Sequence, residues 1–270
     1  MPEPNLFDIQ ACLLDAERTK AFVKAVRKVV RKGDVVIDAG SGSGLLGVIA
    51  AKAGARKVYC IELDGLACDV IKRSAAENGV SDKIIIIHGD ATEVELPEKA
   101  DVLLSENISG GGLFYEQQVR INNHLLKFMK KGARFVPQEI RNAAQLCHAK
   151  EEFEGFRYLE PRASVKEDKI LSDSREFTPI FLGKHADENA DDDVLLTVSK
   201  SGSVNAVRFE LACKVAGGIT LERETPFLIL PTVVFLRKPV NVVKGERYLL
   251  KLRFIWGSSP QEAVLRLERA

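Results

Sequence analysis

The run Val35-Val36-Ile37-Asp38-Ala39-Gly40-Ser41-Gly42-Ser43-Gly44 constrains this chain more than any other segment. An apolar stretch passes directly into a turn where glycine alternates with small residues, and a helical pattern begins at Leu45. Glycine reaches torsions closed to other residues and lets a ligand approach the main chain. A strand ending in such a turn ahead of a helix belongs to folds that seat ligands at the carboxyl ends of parallel strands. The surrounding sequence has the matching texture. Helical spacing over 15–30 ends near Gly33, and strand-like runs at 34–38, 57–61, 83–88 and 101–105 follow. Helical stretches at 45–53 and 65–78 lie between them, and a further helix runs to Leu126. This alternation predicts a parallel sheet covered on both faces.

The texture changes near Pro137. Segments 205–215, 218–224, 232–236, 248–256 and 263–268 are β-rich, and glycine or proline separates several of them. They predict an antiparallel barrel or sandwich, dividing the chain into 1–137 and 138–270. The acidic stretch 187–193 reads as a solvated loop. With 270 residues, 46% of them apolar, the chain can bury a substantial core. Lys+Arg 39 against Asp+Glu 38 leaves +1, so bulk charge predicts neither a nucleic-acid nor an anionic-membrane partner. No window approaches a membrane-spanning run, and the short acidic start does not read as a signal peptide. Five widely spaced cysteines (Cys12, Cys60, Cys68, Cys147, Cys213) without a Cys-x-x-Cys pair favour a reducing cytoplasm over a disulfide scaffold. The four histidines share no metal-ligand spacing, so no metal is expected.

Gly42-x-Gly44-x-x-Gly47 formally satisfies the dinucleotide fingerprint, yet three features oppose it. Asp38 sets a carboxylate beside the turn that would receive pyrophosphate. Glu62, the candidate ribose acid, follows Gly47 by 15 residues rather than the expected gap of about 20. A phosphate-binding lysine is absent as well. The same residues suit S-adenosylmethionine, whose ammonium and sulfonium are positive. Asp38 then lies near the methionine portion, Glu62 can accept from both ribose hydroxyls, and Asp90 can accept from the adenine amine. Ala91 offers a backbone N–H to the ring. One acid at a strand end is commonly a helix cap; three in ligand-facing topology are more specific.

On these residues the chain resembles the class I S-adenosylmethionine-dependent methyltransferases and, within them, the protein arginine methyltransferases. Leu14-Asp15-Ala16-Glu17-Arg18-Thr19 is similar to the family's helix before the sheet, and Ile61-Glu62 to its ribose-binding strand end. Residues 93–97 and 102–105 resemble the approach to its active-site loop, and 232–246 a barrel strand with its Lys-Gly-acid turn. The resemblance implies a Rossmann-like doubly wound sheet followed by an antiparallel β-barrel or sandwich, and a methyltransferase using S-adenosylmethionine. Arg18 would hold the methionine carboxylate, while Asp38, Gly40, Gly42 and Gly44 cradle the amino-acid portion. The acceptor would be a protein, a peptide or a small basic amine, and a homodimer is compatible with the likeness.

Catalysis would fall on Glu106 and Glu116, which flank three consecutive glycines in Ser105-Glu106-Asn107-Ile108-Ser109-Gly110-Gly111-Gly112-Leu113-Phe114-Tyr115-Glu116. Two carboxylates on such a loop can fix a cation, and the family's double-glutamate hairpin clamps the substrate guanidinium. Methyl transfer is an in-line displacement, so the nitrogen must sit opposite sulfur, about 3–3.5 Å from the methyl. Bidentate pairing with Glu106 would fix the guanidinium plane. Glu116 also suits a helix first turn, where an acid is favourable. Glu106→Gln is expected to depress kcat/KM and to leave cofactor affinity largely intact.

The departures fall on the acceptor side. The loop is one residue longer than the family's hairpin, and Asn107 replaces an aromatic residue. Phe227-Leu228-Ile229 stands in place of the Thr-His-Trp loop, and Thr92 replaces the adenine-facing glutamate. The family's tyrosine-bearing first helix is scarcely present before Leu13. A small-molecule N- or O-methyltransferase, or a cofactor-binding scaffold without turnover, therefore stands beside the arginine reading.

Overall fold

The computed structural model describes residues 6–108, 117–221 and 230–270. Five strands form the first sheet: β1 (Val35–Ala39), β2 (Lys57–Glu62), β3 (Ile84–His88), β4 (Ala100–Leu104) and β5 (Met129–Val136). They lie in the order β3-β2-β1-β4-β5, all parallel. All five residues of β1 are buried, as a central strand between two covering layers requires. Its alternate side chains feed two cores. Val36 packs with Phe22, Val48 and Ile71, whereas Val35, Ile37 and Ala39 pack with Ile121 and Leu125.

The helices are α1 (Leu6–Leu14), α2 (Ala16–Val29), α3 (Leu45–Lys52), α4 (Gly65–Glu77) and α5 (Gln118–Leu125). Asp15 starts α2 by accepting the Arg18 amide at 3.1 Å, satisfying one of the free donors of the first turn. Helix α1 precedes Asp15 with nine residues and contains no tyrosine. Strand order runs outward from β1 in both directions, so the switch point at which such sheets seat ligands lies at the carboxyl ends of the paired strands β1 and β4.

The sheet type switches between β5 and the next strand, β6 (Glu139–His148), with a cis Val136–Pro137 bond between them. Strand β6 pairs antiparallel with Gly202–Ala216, which pairs with Thr232–Val242. A second antiparallel sheet joins Asn189–Thr197, Arg247–Ile255 and Val264–Arg269. Both sheets feed one apolar core through Val207, Phe209, Leu211, Leu250, Leu252 and Trp256. The architecture is a parallel Rossmann-like sheet followed by an antiparallel barrel or sandwich, as expected.

The acidic stretch is not a solvated loop: Asn189–Thr197 is a strand of nine residues paired with Arg247–Ile255. Its acids have partners there, Asp191 and Asp193 binding Arg253 at 2.6 and 3.1 Å while Asp192 accepts from the Thr178 hydroxyl. Met129–Val136 is a strand that the sequence does not signal, because it is half-exposed at the sheet edge and carries little apolar alternation. Among the described residues no helix is long and apolar enough to cross a membrane.

Candidate active site at the switch point of the parallel sheet

The turn after β1 is built by left-handed glycines, with φ of 70°, 53° and 75° at Gly40, Gly42 and Gly44. The Gly40 and Ser41 amides both donate to the Ile61 carbonyl at 3.0 Å, binding the turn to β2. A Cβ at Gly42 would meet nothing within 4 Å, so this side of the turn is open to a ligand. Gly47 has a different task. A Cβ there would lie 2.6 Å from Cys60 Sγ and 3.0 Å from Asp38 Oδ2, so its absence lets α3 press onto β1 and β2. Cys60 is buried, as expected of packing.

Asp38 is 2% exposed, and its carboxylate accepts the Gly47 amide at 2.9 Å. Burial pushes its pKa up to about 7, with the nearby Glu62 charge adding to the rise and the Gly47 amide opposing it. Such an acid gains from a cation beside it. Glu62, at the tip of β2, accepts the Gly42 amide at 2.6 Å through one oxygen and the Asp64 amide at 3.0 Å through the other. This geometry bears on the ligand. The amide a phosphate would need is already bound to a carboxylate, and a phosphate would face Glu62 and Asp38 together. Two carboxyl groups at the turn, one of them already holding the Gly42 amide, fit a cationic nucleoside and disfavour pyrophosphate. Asp90 is half-buried just beyond β3, with one oxygen accepting the Thr92 amide and hydroxyl at 2.8 and 2.7 Å. The adjacent Ala91 is buried.

Arg18 and Glu106, assigned to different ligands by the sequence, meet in one ion pair. Arg18 Nε donates to Glu106 Oε1 at 2.7 Å, Nη2 pairs with Oε2, and Nη1 donates to the Cys12 carbonyl at 3.1 Å. The two side chains are only 9% and 7% exposed. Burial lowers the Arg18 pKa, and the nearby Cys12 and Asp15 oppose that shift; a guanidinium stays cationic regardless.

A polar lock fixes the segment that carries Glu106. Asn107 Nδ2 donates to the Ala39 carbonyl at 3.0 Å and to Ser105 Oγ at 3.1 Å. Gln118 Oε1 accepts the Asn107 amide at 3.0 Å, and Gln118 Nε2 donates to Ser105 Oγ at 2.9 Å. A side chain at Gly40 would collide with Asn107 Oδ1, so the first turn glycine makes room for this amide. Gln118 and Ser105 were not foreseen. They are 13 residues apart in sequence, and no local spacing signals their meeting. Glu116 and Phe227-Leu228-Ile229 lie outside the described residues.

A separate cleft of about 550 Å³ opens in the β-rich half, lined by Gln145, Ser164, Lys166, Arg208 and Glu210 among others. Arg208 is occupied by Gln145 at 2.9 Å, Ser164 at 3.3 Å and Glu210. Its polar groups serve one another, and the strand-tip acids are not among its lining.

The family model of ribosomal protein L11 methyltransferase (PrmA) matches residues 15–137. "Uncharacterized protein MJ1452" of Methanocaldococcus jannaschii is 41% identical over 140 residues, covering 51% of this chain and 53% of that protein. "Probable protein arginine N-methyltransferase 6" of Arabidopsis thaliana is 36% identical over 107 residues, 39% of this chain and 24% of its own length. The chain thus spans about half of the first relative and a quarter of the second. Among solved structures, the "Trypanosoma brucei PRMT1 enzyme-prozyme heterotetrameric complex with AdoHcy" superposes with a TM-score of 0.77 at 19% identity, over 96% of both chains. Arabidopsis thaliana protein arginine methyltransferase 10 superposes with a TM-score of 0.78 at 17% identity, over 92% of this chain and 87% of that one. The chain therefore carries the class I S-adenosylmethionine-dependent methyltransferase fold, in the form related to the protein arginine methyltransferases.

Proposed function

We propose that the protein is an S-adenosylmethionine-dependent methyltransferase acting on a basic nitrogen of a protein, peptide or small amine. The observation that carries the reading is the carboxylate-lined turn: Glu62 holds the Gly42 amide while the desolvated Asp38 lies beside it. Residues 1–137 would bind the cofactor and 138–270 would wall the acceptor cleft. For the cofactor, Arg18 addresses the methionine carboxylate, Asp38 with Gly40, Gly42 and Gly44 the amino-acid portion, Glu62 the ribose, and Asp90 with Ala91 the adenine. The bound cofactor supplies a methyl group on positively charged sulfur. Glu106, with Glu116 as its partner from the sequence, orients the acceptor nitrogen and compensates the positive charge that arrives with the methyl. A planar guanidinium suits two carboxylates through parallel N–H donors.

Within that reading the acceptor is first an arginine guanidinium and second a non-arginine nitrogen of another protein or a small amine, and the second draws support from Asn107. Its amide replaces the aromatic wall, and the matching family model is named for a ribosomal-protein methyltransferase. Incubation with methyl-labelled cofactor, arginine-rich peptides, ribosomal proteins and an amine panel tests both. Label in arginine supports the first reading and label elsewhere the second. A folded chain that binds S-adenosylhomocysteine yet labels nothing supports the non-catalytic scaffold instead.

A further inference from the structure

The cleft in the β-rich half rests on a frame that its own bonds hold in place. Gln145 and Arg208 are register partners on β6 and the strand Gly202–Ala216, so their side chains stand side by side on one face. The rim is the turn Val165–Asp168, closed by the Asp168 amide on the Val165 carbonyl at 3.0 Å. Asp168 pins that turn, accepting the Ser164 hydroxyl and the Val165 amide at 2.9 and 2.8 Å. Val165, Ile170 and Pro231 add apolar surface to the lining. A volume of about 550 Å³ falls within the range of sites that hold small molecules.

Charge and hydrogen-bonding capacity do not cancel there. Each acid of the cleft and its rim has a cation of its own: Glu210 takes Arg208, Asp168 takes Arg162 at 2.8 Å, and Glu167 takes Lys150 at 3.4 Å. Lys166, exposed on the turn, is the cation left over, with no acid paired to it among the described residues. The bonds inside the cleft leave a matching remainder. Arg208 gives Nε to Ser164 and Nη1 to Gln145 and Glu210, whereas Nη2 has no partner among the described residues. Gln145 accepts from Arg208 through Oε1, and its Nε2 donates to no described residue. An ammonium, a guanidinium nitrogen and an amide nitrogen are thus uncommitted, and all three are donors. We propose that this cleft binds a small organic oxyanion, a carboxylate or a phosphate ester carrying a short apolar body. The oxygens take Lys166, Arg208 Nη2 and Gln145 Nε2, and the body lies against Val165, Ile170 and Pro231. The site goes beyond the methyl-transfer reading, because no residue assigned to the cofactor or the acceptor lines it.

Calorimetry of the full chain with benzoate, phenyl phosphate, benzyl alcohol and benzylamine tests the site. At least one of the two anions should bind saturably below about 10 mM, and the tighter of them identifies the headgroup. Benzyl alcohol and benzylamine keep the ring without the negative charge and should bind at least about tenfold more weakly. Two variants then locate the anion. Lys166→Glu reverses the uncompensated charge at an exposed turn position. Gln145→Glu keeps an acceptor for Arg208 and replaces the donor amide. Each should weaken the anion by about tenfold or more while circular dichroism stays that of the unaltered chain. Absence of saturable binding by both anions overturns the proposal. Benzyl alcohol or benzylamine binding as tightly as the anions overturns it too, as does anion affinity that either folded variant leaves unchanged.

Discussion

Two buried arginine–carboxylate pairs, one in each half of the molecule, use the same chemistry to different ends. In the β-rich half Arg162 binds Asp168 at 3.0 and 2.8 Å, and Asp168 also accepts the Ser164 hydroxyl and the amides of Val165 and Lys150. Arg162 in turn donates to the Ala163 and Lys150 carbonyls and stacks near Phe153 and Phe235. Burial alone would raise the Asp168 pKa, but Arg162 and these donors prevail and hold it at about 2. In the crevice, Arg18 is the described partner of Glu106. A carboxylate saturated with donors fastens a fold. Glu106, by contrast, is paired among the described residues with Arg18 through both carboxylate oxygens.

The largest effect should come from the saturated pair. Asp168→Asn leaves Arg162 buried without its charge partner and should cost about 3–5 kcal/mol, read by urea unfolding. The surviving folded fraction should bind S-adenosylhomocysteine normally, and a selective loss of that binding would break the contrast. Because the Asp168 pKa is depressed on folding, its stabilising share is present above about pH 4 and is lost as pH falls toward about 2.

Next, Glu62→Gln should weaken S-adenosylhomocysteine binding by about tenfold or more. It removes a charged acceptor and presents an amide N–H₂ to the Gly42 amide. Unchanged affinity by calorimetry would remove Glu62 from the cofactor site. A smaller effect belongs to Asp38, with its native pKa near 7. Between about pH 4 and 7 the ligand-free native state holds a proton that the unfolded chain has released. That contribution to stability is lost as pH rises through about 7. A cationic ligand prefers the ionised acid, so its affinity should be about tenfold weaker at pH 6 than at pH 8. A flat profile would place the cation away from Asp38. The smallest effect is expected at the solvated strand. Asp193→Asn breaks an exposed pair with Arg253 and should change stability by less than about 1 kcal/mol. A larger loss would show that surface acids there act as a network.

Local patterning made much of this legible. The strand–turn–helix at Val35–Leu45 needs glycines because of its positive φ values, so the turn announced itself along with the acids at the tips of the neighbouring strands. Asp15 at the head of α2 was visible as part of the arginine-bearing helix. The edge strand Met129–Val136 and the strand Asn189–Thr197 were not, since exposed strands rich in charge lose the apolar alternation that marks a half-buried one.

The sequence by itself determined the alternation of strands and helices from β1 to β4, the glycine turn, and the acids at or near the ends of β1, β2 and β3, because each follows from neighbours along the chain. Only the tertiary structure decided that Arg18 and Glu106, 88 residues apart, share one pair, and that Asn107, Ser105 and Gln118 lock beneath it. Contacts between distant segments depend on how layers stack and how side chains compete for the same donors, and no local period of a sequence encodes that competition.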